Sequence, residues 1–190
     1  LDATFQPSSK FTHLHQLKAV GGSESSMPLI TLTARTGSPQ RMELRYAEPT
    51  SQTTIDVEDL ADFKGKWLEA IETVTYGEEG TGQYEITILE VSNQDTLFHY
   101  ANSSIRMWKT EAEFIRPKWG IYRSLQDSTQ LKDEEVDFAD FSIEEIGSTV
   151  HIEHQPLVKG TPLIYPNPGM YSIDLLKGHL KIHSESMFIQ

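Results

Sequence analysis

Arg41-Met42-Glu43-Leu44-Arg45-Tyr46, read as RMELRY, decides the fold class. Charged and apolar residues alternate with a period of two. In an extended chain this sends Arg41, Glu43 and Arg45 to one side and Met42, Leu44 and Tyr46 into a core. Just upstream, residues 28–35 (PLITLTAR) have the β-branched composition of a central strand, and residues 36–40 supply a turn, so the two runs read as a hairpin. The charged face admits two readings, a solvated outer surface or the floor of a site.

Outward from this hairpin the chain remains strand-like. Phe11, His13, His15 and Leu17 alternate against Thr12, Leu14, Gln16 and Lys18, which puts the two histidines on one face. The polar, acidic stretch 48–62 reads as loop with a short helix over 57–63 at most. Strands follow over 67–76, 84–91 and 96–101, a loop packed by Trp108 over 105–114, and a strand over 115–125. Residues 136–146 (VDFADFSIEEI) alternate as another strand, and 148–154, 171–176 and 179–189 continue the pattern. The gaps are too short for the crossover helices of a parallel sheet, so the strands are antiparallel. Their spacing of about ten residues predicts an all-β, two-sheet antiparallel sandwich of the jelly-roll type.

The chain of 190 residues is expected to form a single domain over 1–190, with 148–190 pairing beside the N-terminal strand. A separate unit of about 40 residues without disulfide or metal would not bury enough surface to fold alone. Apolar content of 37% and charged content of 23% are ordinary for a soluble protein, and no apolar run is long enough to span a bilayer. The first residues carry neither a basic leader nor an apolar signal core, so a targeting segment is expected to be absent or removed. The absence of cysteine excludes disulfides, thiolate metal sites and a cysteine nucleophile. A net charge of −12 argues against nucleic acid as a partner, although a cleft can still be locally basic. Asn102-Ser103-Ser104 matches a glycosylation acceptor, which matters only in a secreted protein.

Residues 115–125 (IRPKWGIYRSL) carry the clearest site pattern. Lys118, Gly120 and Tyr122 recur at two-residue spacing, so a lysine and a tyrosine share one face with a glycine between them. A strand glycine leaves room for another molecule to approach the backbone; the alternative is a plain edge strand after a Pro-Lys turn. With His13 and His15 and with Arg41, Glu43 and Arg45, these residues would give one sheet face cations, imidazoles and a phenol. That combination suits an anionic substrate.

These stretches resemble the β-jelly-roll polysaccharide lyases, which include alginate, glucuronan and heparin lyases. The alginate lyases carry RxELR, QIH and YFKAGxY; this chain has RMELR at Arg41 to Arg45, HLH at His13 to His15 and RPKWGIYRS at Arg116 to Ser124. The last of these leans toward glucuronan and heparin lyases. The chain departs in order, since RxELR would precede the histidine strand in the family and here follows it, and His13 stands where the family has glutamine.

The resemblance implies a secreted, monomeric concanavalin A-like jelly roll that cleaves a uronic-acid polysaccharide by β-elimination. It places Tyr122, His15 and Arg41 in catalysis and His13, Gln16, Arg45, Lys118 and Glu43 at the substrate. Arg41, His13 or Gln16 would neutralise the uronate carboxylate, with arginine best suited to bidentate contact; Tyr122 would act as acid and for some stereochemistries as base, and His15 is the alternative base. No cofactor is required. Structural calcium is compatible with Glu78-Glu79 or Asp133-Glu134-Glu135, although adjacent strand carboxylates diverge. The competing classes are a non-catalytic carbohydrate-binding module and a glycoside hydrolase. A hydrolase needs two facing carboxylates, which Glu43 with Glu69 or Glu85 could supply in principle, although no motif supports the pair.

Overall fold

The computed structural model describes residues 1–126, 129 and 131–146. The chain divides into two compact units, Leu1–Asp137 and Phe138–Gln190. The first is all-β: β1 (Thr12–Val20), β2 (Ile30–Arg35), β3 (Arg41–Ala47), β4 (Gln52–Asp59), a 3-10 turn (Leu60–Phe63), β5 (Leu68–Thr75), β6 (Gly82–Glu90), β7 (Thr96–Ile105) and β8 (Phe114–Arg123). They form two antiparallel sheets, one of five strands in the order β4-β3-β2-β1-β8 and one of three in the order β5-β6-β7.

The hairpin that opens the sequence reading forms as β2 and β3, with Ile30 opposite Tyr46 and Arg35 opposite Arg41. Met42, Leu44 and Tyr46 enter the core. There Leu14, Leu17, Ile30 and Leu32 from the larger sheet join Tyr84, Ile86, Ile88 and Phe98 from the smaller one. Burying each such side chain contributes about 1.5–3 kcal/mol. Phe5, Leu60, Phe63 and Met107 fill the cluster from the connecting segments.

Lys109 is a polar counterpart to this core. It is almost completely buried, and its ammonium donates to the carbonyls of Glu24 at 2.9 Å, Met27 at 2.7 Å and Pro49 at 2.7 Å. Burial pushes its pKa down to about 8. Three N–H donors thus meet three loop carbonyls that would otherwise be buried without partners.

Three expectations are corrected. The stretch 48–62 is not a loop: Gln52–Asp59 forms β4, which pairs with β3 along its length and borders the larger sheet. Its polar and acidic composition suits a sheet edge, where charge discourages further pairing. Residues 136–146 are not a strand. Asp140 takes φ 54°, in the left-handed region, which interrupts the extended run, and the rings of Phe138 and Phe141 stack 5.9 Å apart. The third correction concerns β1. His13 and His15 do not share a face, because a bulge at Leu14 shifts the register: His13 lies opposite Thr33 and His15 opposite Leu32. The strands expected over 148–154, 171–176 and 179–189, and the pairing of 148–190 with the N-terminal strand, lie outside the described residues.

Candidate functional site

The bulge sorts the side chains of β1 onto two sides of the sheet. His13 and, past the bulge, Gln16 are the register partners of Thr33 and Thr31, which alternate with the core residues Ile30, Leu32 and Ala34. His15 falls in line with Leu32 and reaches across to the smaller sheet. Its Nε2 lies 3.0 Å from Glu72 Oε1, its Nδ1 lies 3.1 Å from the Lys118 carbonyl, and its ring stacks on Trp119 at 3.8 Å. Glu72 also accepts from the Tyr84 hydroxyl at 2.8 Å. Both ring nitrogens of His15 are therefore engaged, one by the Glu72 carboxylate and one by the Lys118 carbonyl.

On the opposite strand, β8, Tyr122 pairs with His13 and Lys118 pairs with Gln16. Gly120 lies between them at φ 134°, and a Cβ built there would meet no atom within 4 Å. The glycine leaves the gap that its spacing suggests. Around this gap lies a groove of about 480 Å³ lined by His13, His15, Gln16, Lys118 and Tyr122, with Arg35, Gln52, Trp119 and Phe11 completing the wall. Phe11, His13 and Tyr122 form an aromatic run: ring centroids are 4.6 Å apart for Phe11 and His13 and 5.9 Å for His13 and Tyr122. Tyr122 is 63% exposed, so its phenol meets solvent at the mouth.

The groove is basic although the chain is acidic. Lys18, Arg35, Arg41, Arg45, Arg116 and Lys118, six of the sixteen Lys and Arg residues, sit at alternating positions of β1, β2, β3 and β8 that register with one another across this side of the sheet. Glu43 is buried among three of them: Arg45 Nη1 at 2.8 Å, Arg35 Nε at 3.4 Å and Arg41 Nη2 at 3.4 Å. Three guanidiniums around one carboxylate leave a positive surplus.

This surplus and burial decide the titration of the wall. Burial, followed by the charges of Arg35 and Arg45, pushes His13 down to about 4, so the imidazole is neutral near pH ~7. Burial lowers Lys118 as well, with Arg116 and Lys18 adding repulsion.

The structure thus gathers five of the eight residues singled out in the sequence, His13, His15, Gln16, Lys118 and Tyr122, around one groove. Arg41, Glu43 and Arg45 do not line it. Arg41 is half-exposed against Glu43, whereas Arg45 acts from behind, donating through Nε to Gln52 Oε1 at 3.2 Å and through Nη1 to Thr54 at 2.7 Å. No family model, curated protein or solved structure matches the chain. Among the described residues no group of three or more histidine or acidic side chains converges on a metal position, and no helix is long and apolar enough to cross a membrane.

Sequence reasoning missed Arg35, Gln52 and the threonines Thr31 and Thr33. The threonines had a visible signal: in PLITLTAR they alternate with Ile30, Leu32 and Ala34, and Arg35 continues their side. Gln52 had none, because the stretch that holds it did not read as strand.

Proposed function

We propose that this groove binds an anionic, uronic-acid-containing polysaccharide and cleaves it by β-elimination, with the larger sheet forming the concave face of a jelly roll. The observation that carries the reading is the convergence of Tyr122, His13, Gln16 and Lys118 around the gap at Gly120 on a basic sheet face. In an elimination the proton on C5 leaves, a C4–C5 double bond forms, and the C4–O4 bond breaks as O4 takes a proton. An ionised carboxylate beside C5 opposes the first step, so its charge must be neutralised. Lys118 and Gln16, neighbours in register, offer an ammonium and an amide for this purpose.

Tyr122 is assigned both proton transfers, from C5 and to O4. As the base it would take the C5 proton on its phenolate oxygen, and as the acid its hydroxyl would hand that proton to O4. His15 is a poorer base, since Glu72 and the Lys118 carbonyl occupy both its ring nitrogens. Arg41, set back against Glu43, is assigned to the field of the face and not to the carboxylate. A polyuronate panel of glucuronan, alginate and heparin-type chains, read by the ultraviolet absorbance of unsaturated ends, tests the proposal. Product from at least one substrate is expected, with Tyr122→Phe lowering the rate by about 10²–10⁴-fold. No product from any of them, or full activity in Tyr122→Phe, overturns it. A non-catalytic carbohydrate-binding module is the second reading, favoured by the stacked run of Phe11, His13 and Tyr122 as a platform for sugar rings; saturable binding without product would establish it.

A further inference from the structure

A line of hydrogen bonds crosses the larger sheet beneath the groove and ends on His13. It starts at Arg45 on β3, whose Nε can only donate and does so to Gln52 Oε1 on β4 at 3.2 Å. That contact orients the amide, so Gln52 Nε2 donates to Thr31 Oγ1 on β2 at 3.1 Å. Thr31 Oγ1 lies 2.9 Å from Thr33 Oγ1, which lies 2.8 Å from His13 Nδ1 on β1. Both threonines are fully buried, so each hydroxyl proton needs an acceptor within this line.

Counting donors leaves one arrangement that satisfies every hydroxyl. If His13 Nδ1–H donated to Thr33, then Thr33 would donate to Thr31, which already accepts from Gln52, and the Thr31 proton would have no acceptor among the described contacts. If instead Thr33 accepted from both His13 and Thr31, its own proton would be stranded. A buried donor left without an acceptor has lost its water and gained nothing in exchange, so such arrangements are disfavoured. In the remaining arrangement every group donates onward: Arg45 to Gln52, Gln52 to Thr31, Thr31 to Thr33, and Thr33 to His13 Nδ1. A neutral imidazole that accepts at Nδ1 carries its proton on Nε2.

We infer that Arg45, Gln52, Thr31 and Thr33 lock His13 as the Nε2–H tautomer, so that His13 serves the groove as a fixed hydrogen-bond donor to an anionic oxygen and not as a proton-abstracting base. The four residues behind it are positioning residues. For the identity of the anion, a uronate carboxylate, the inference rests on the lyase reading; for the tautomer it does not.

Two-bond ¹H–¹⁵N correlation spectroscopy of the ligand-free protein near neutral pH reads the tautomer directly, because the protonated and unprotonated ring nitrogens resonate in separate ranges. The expected result is a protonated Nε2 and an unprotonated Nδ1 for His13. The reverse pattern overturns the inference. Gln52→Glu replaces the amide donor with a carboxylate that accepts from Thr31, so Thr33 can donate to Thr31 and accept from His13, and the Nδ1–H tautomer should become populated. An unaltered tautomer in a folded Gln52→Glu protein overturns the relay. If Gln52→Glu does not fold, Thr33→Val provides the same reading, since it removes the hydroxyl that donates to Nδ1. A wild-type Nε2–H signal without any unsaturated product would refute the elimination reading while leaving the donor assignment standing. An active lyase with Nδ1–H would do the opposite.

Discussion

Acidification should weaken the fold through His13, and the amount follows from its surroundings. The imidazole is buried beside Arg35 and Arg45, which lowers its pKa from the ordinary 6.5 to about 4. Because the folded state binds the proton less tightly than the unfolded state, the contribution is fully present above the unfolded value. It is lost as pH falls from 6.5 toward about 4. At about 1.4 kcal/mol for each tenfold difference in proton affinity, the whole window is worth on the order of 3 kcal/mol, of which about 2 kcal/mol is gone by about pH 5. Carboxylates titrate in the same range, so the measurement must be a difference. Urea unfolding of the wild type and of His13→Asn, compared at about pH 7 and about pH 5, isolates the histidine. The asparagine carbonyl can still accept from Thr33 but does not titrate. The wild type should lose about 2 kcal/mol more than the variant between the two conditions. Parallel losses would mean that His13 is not held neutral by burial and the arginines, and the reasoning would fail.

Three further outcomes are expected. Glu72→Leu removes the acceptor of His15 and of the Tyr84 hydroxyl between the sheets, and should cost about 1–3 kcal/mol for each group left unpaired, read by chemical denaturation. Lys109→Met leaves three loop carbonyls without their shared donor, and a loss on the order of 3 kcal/mol should appear in the same assay. Gly120→Ala meets no steric obstacle but forces an L-residue to φ 134°; it should destabilise by about 1–3 kcal/mol, and a neutral effect in thermal unfolding would contradict the backbone assignment.

The strands were legible where alternation was strong. RMELRY buried the three residues its pattern indicated, and KWGIY presented Lys118, Gly120 and Tyr122 on one side with a gap at the glycine. The pattern failed where tertiary context decided. β4 forms from a polar stretch because β3 offers it a partner, and residues 136–146 alternate yet do not form a strand. The site was half legible. Its residue types were visible, but which side of the sheet each histidine took depended on a bulge that spacing alone does not encode. The hydrogen-bonded line behind His13 joins residues up to 39 positions apart in sequence, from His13 to Gln52, and only pairing brings them together.

The bulge at Leu14 bears on how such a chain can change. Across it the two halves of β1 change parity in sequence yet keep their register with β2, because Leu14 is the one residue without a partner there. A chain lacking Leu14 would still set His13 opposite Thr33, His15 opposite Leu32 and Gln16 opposite Thr31, so a change of length at this point is absorbed where it occurs and the imidazole and amide of the groove stay in place. In this strand, motifs compared by fixed spacing lose their meaning when they cross the bulge.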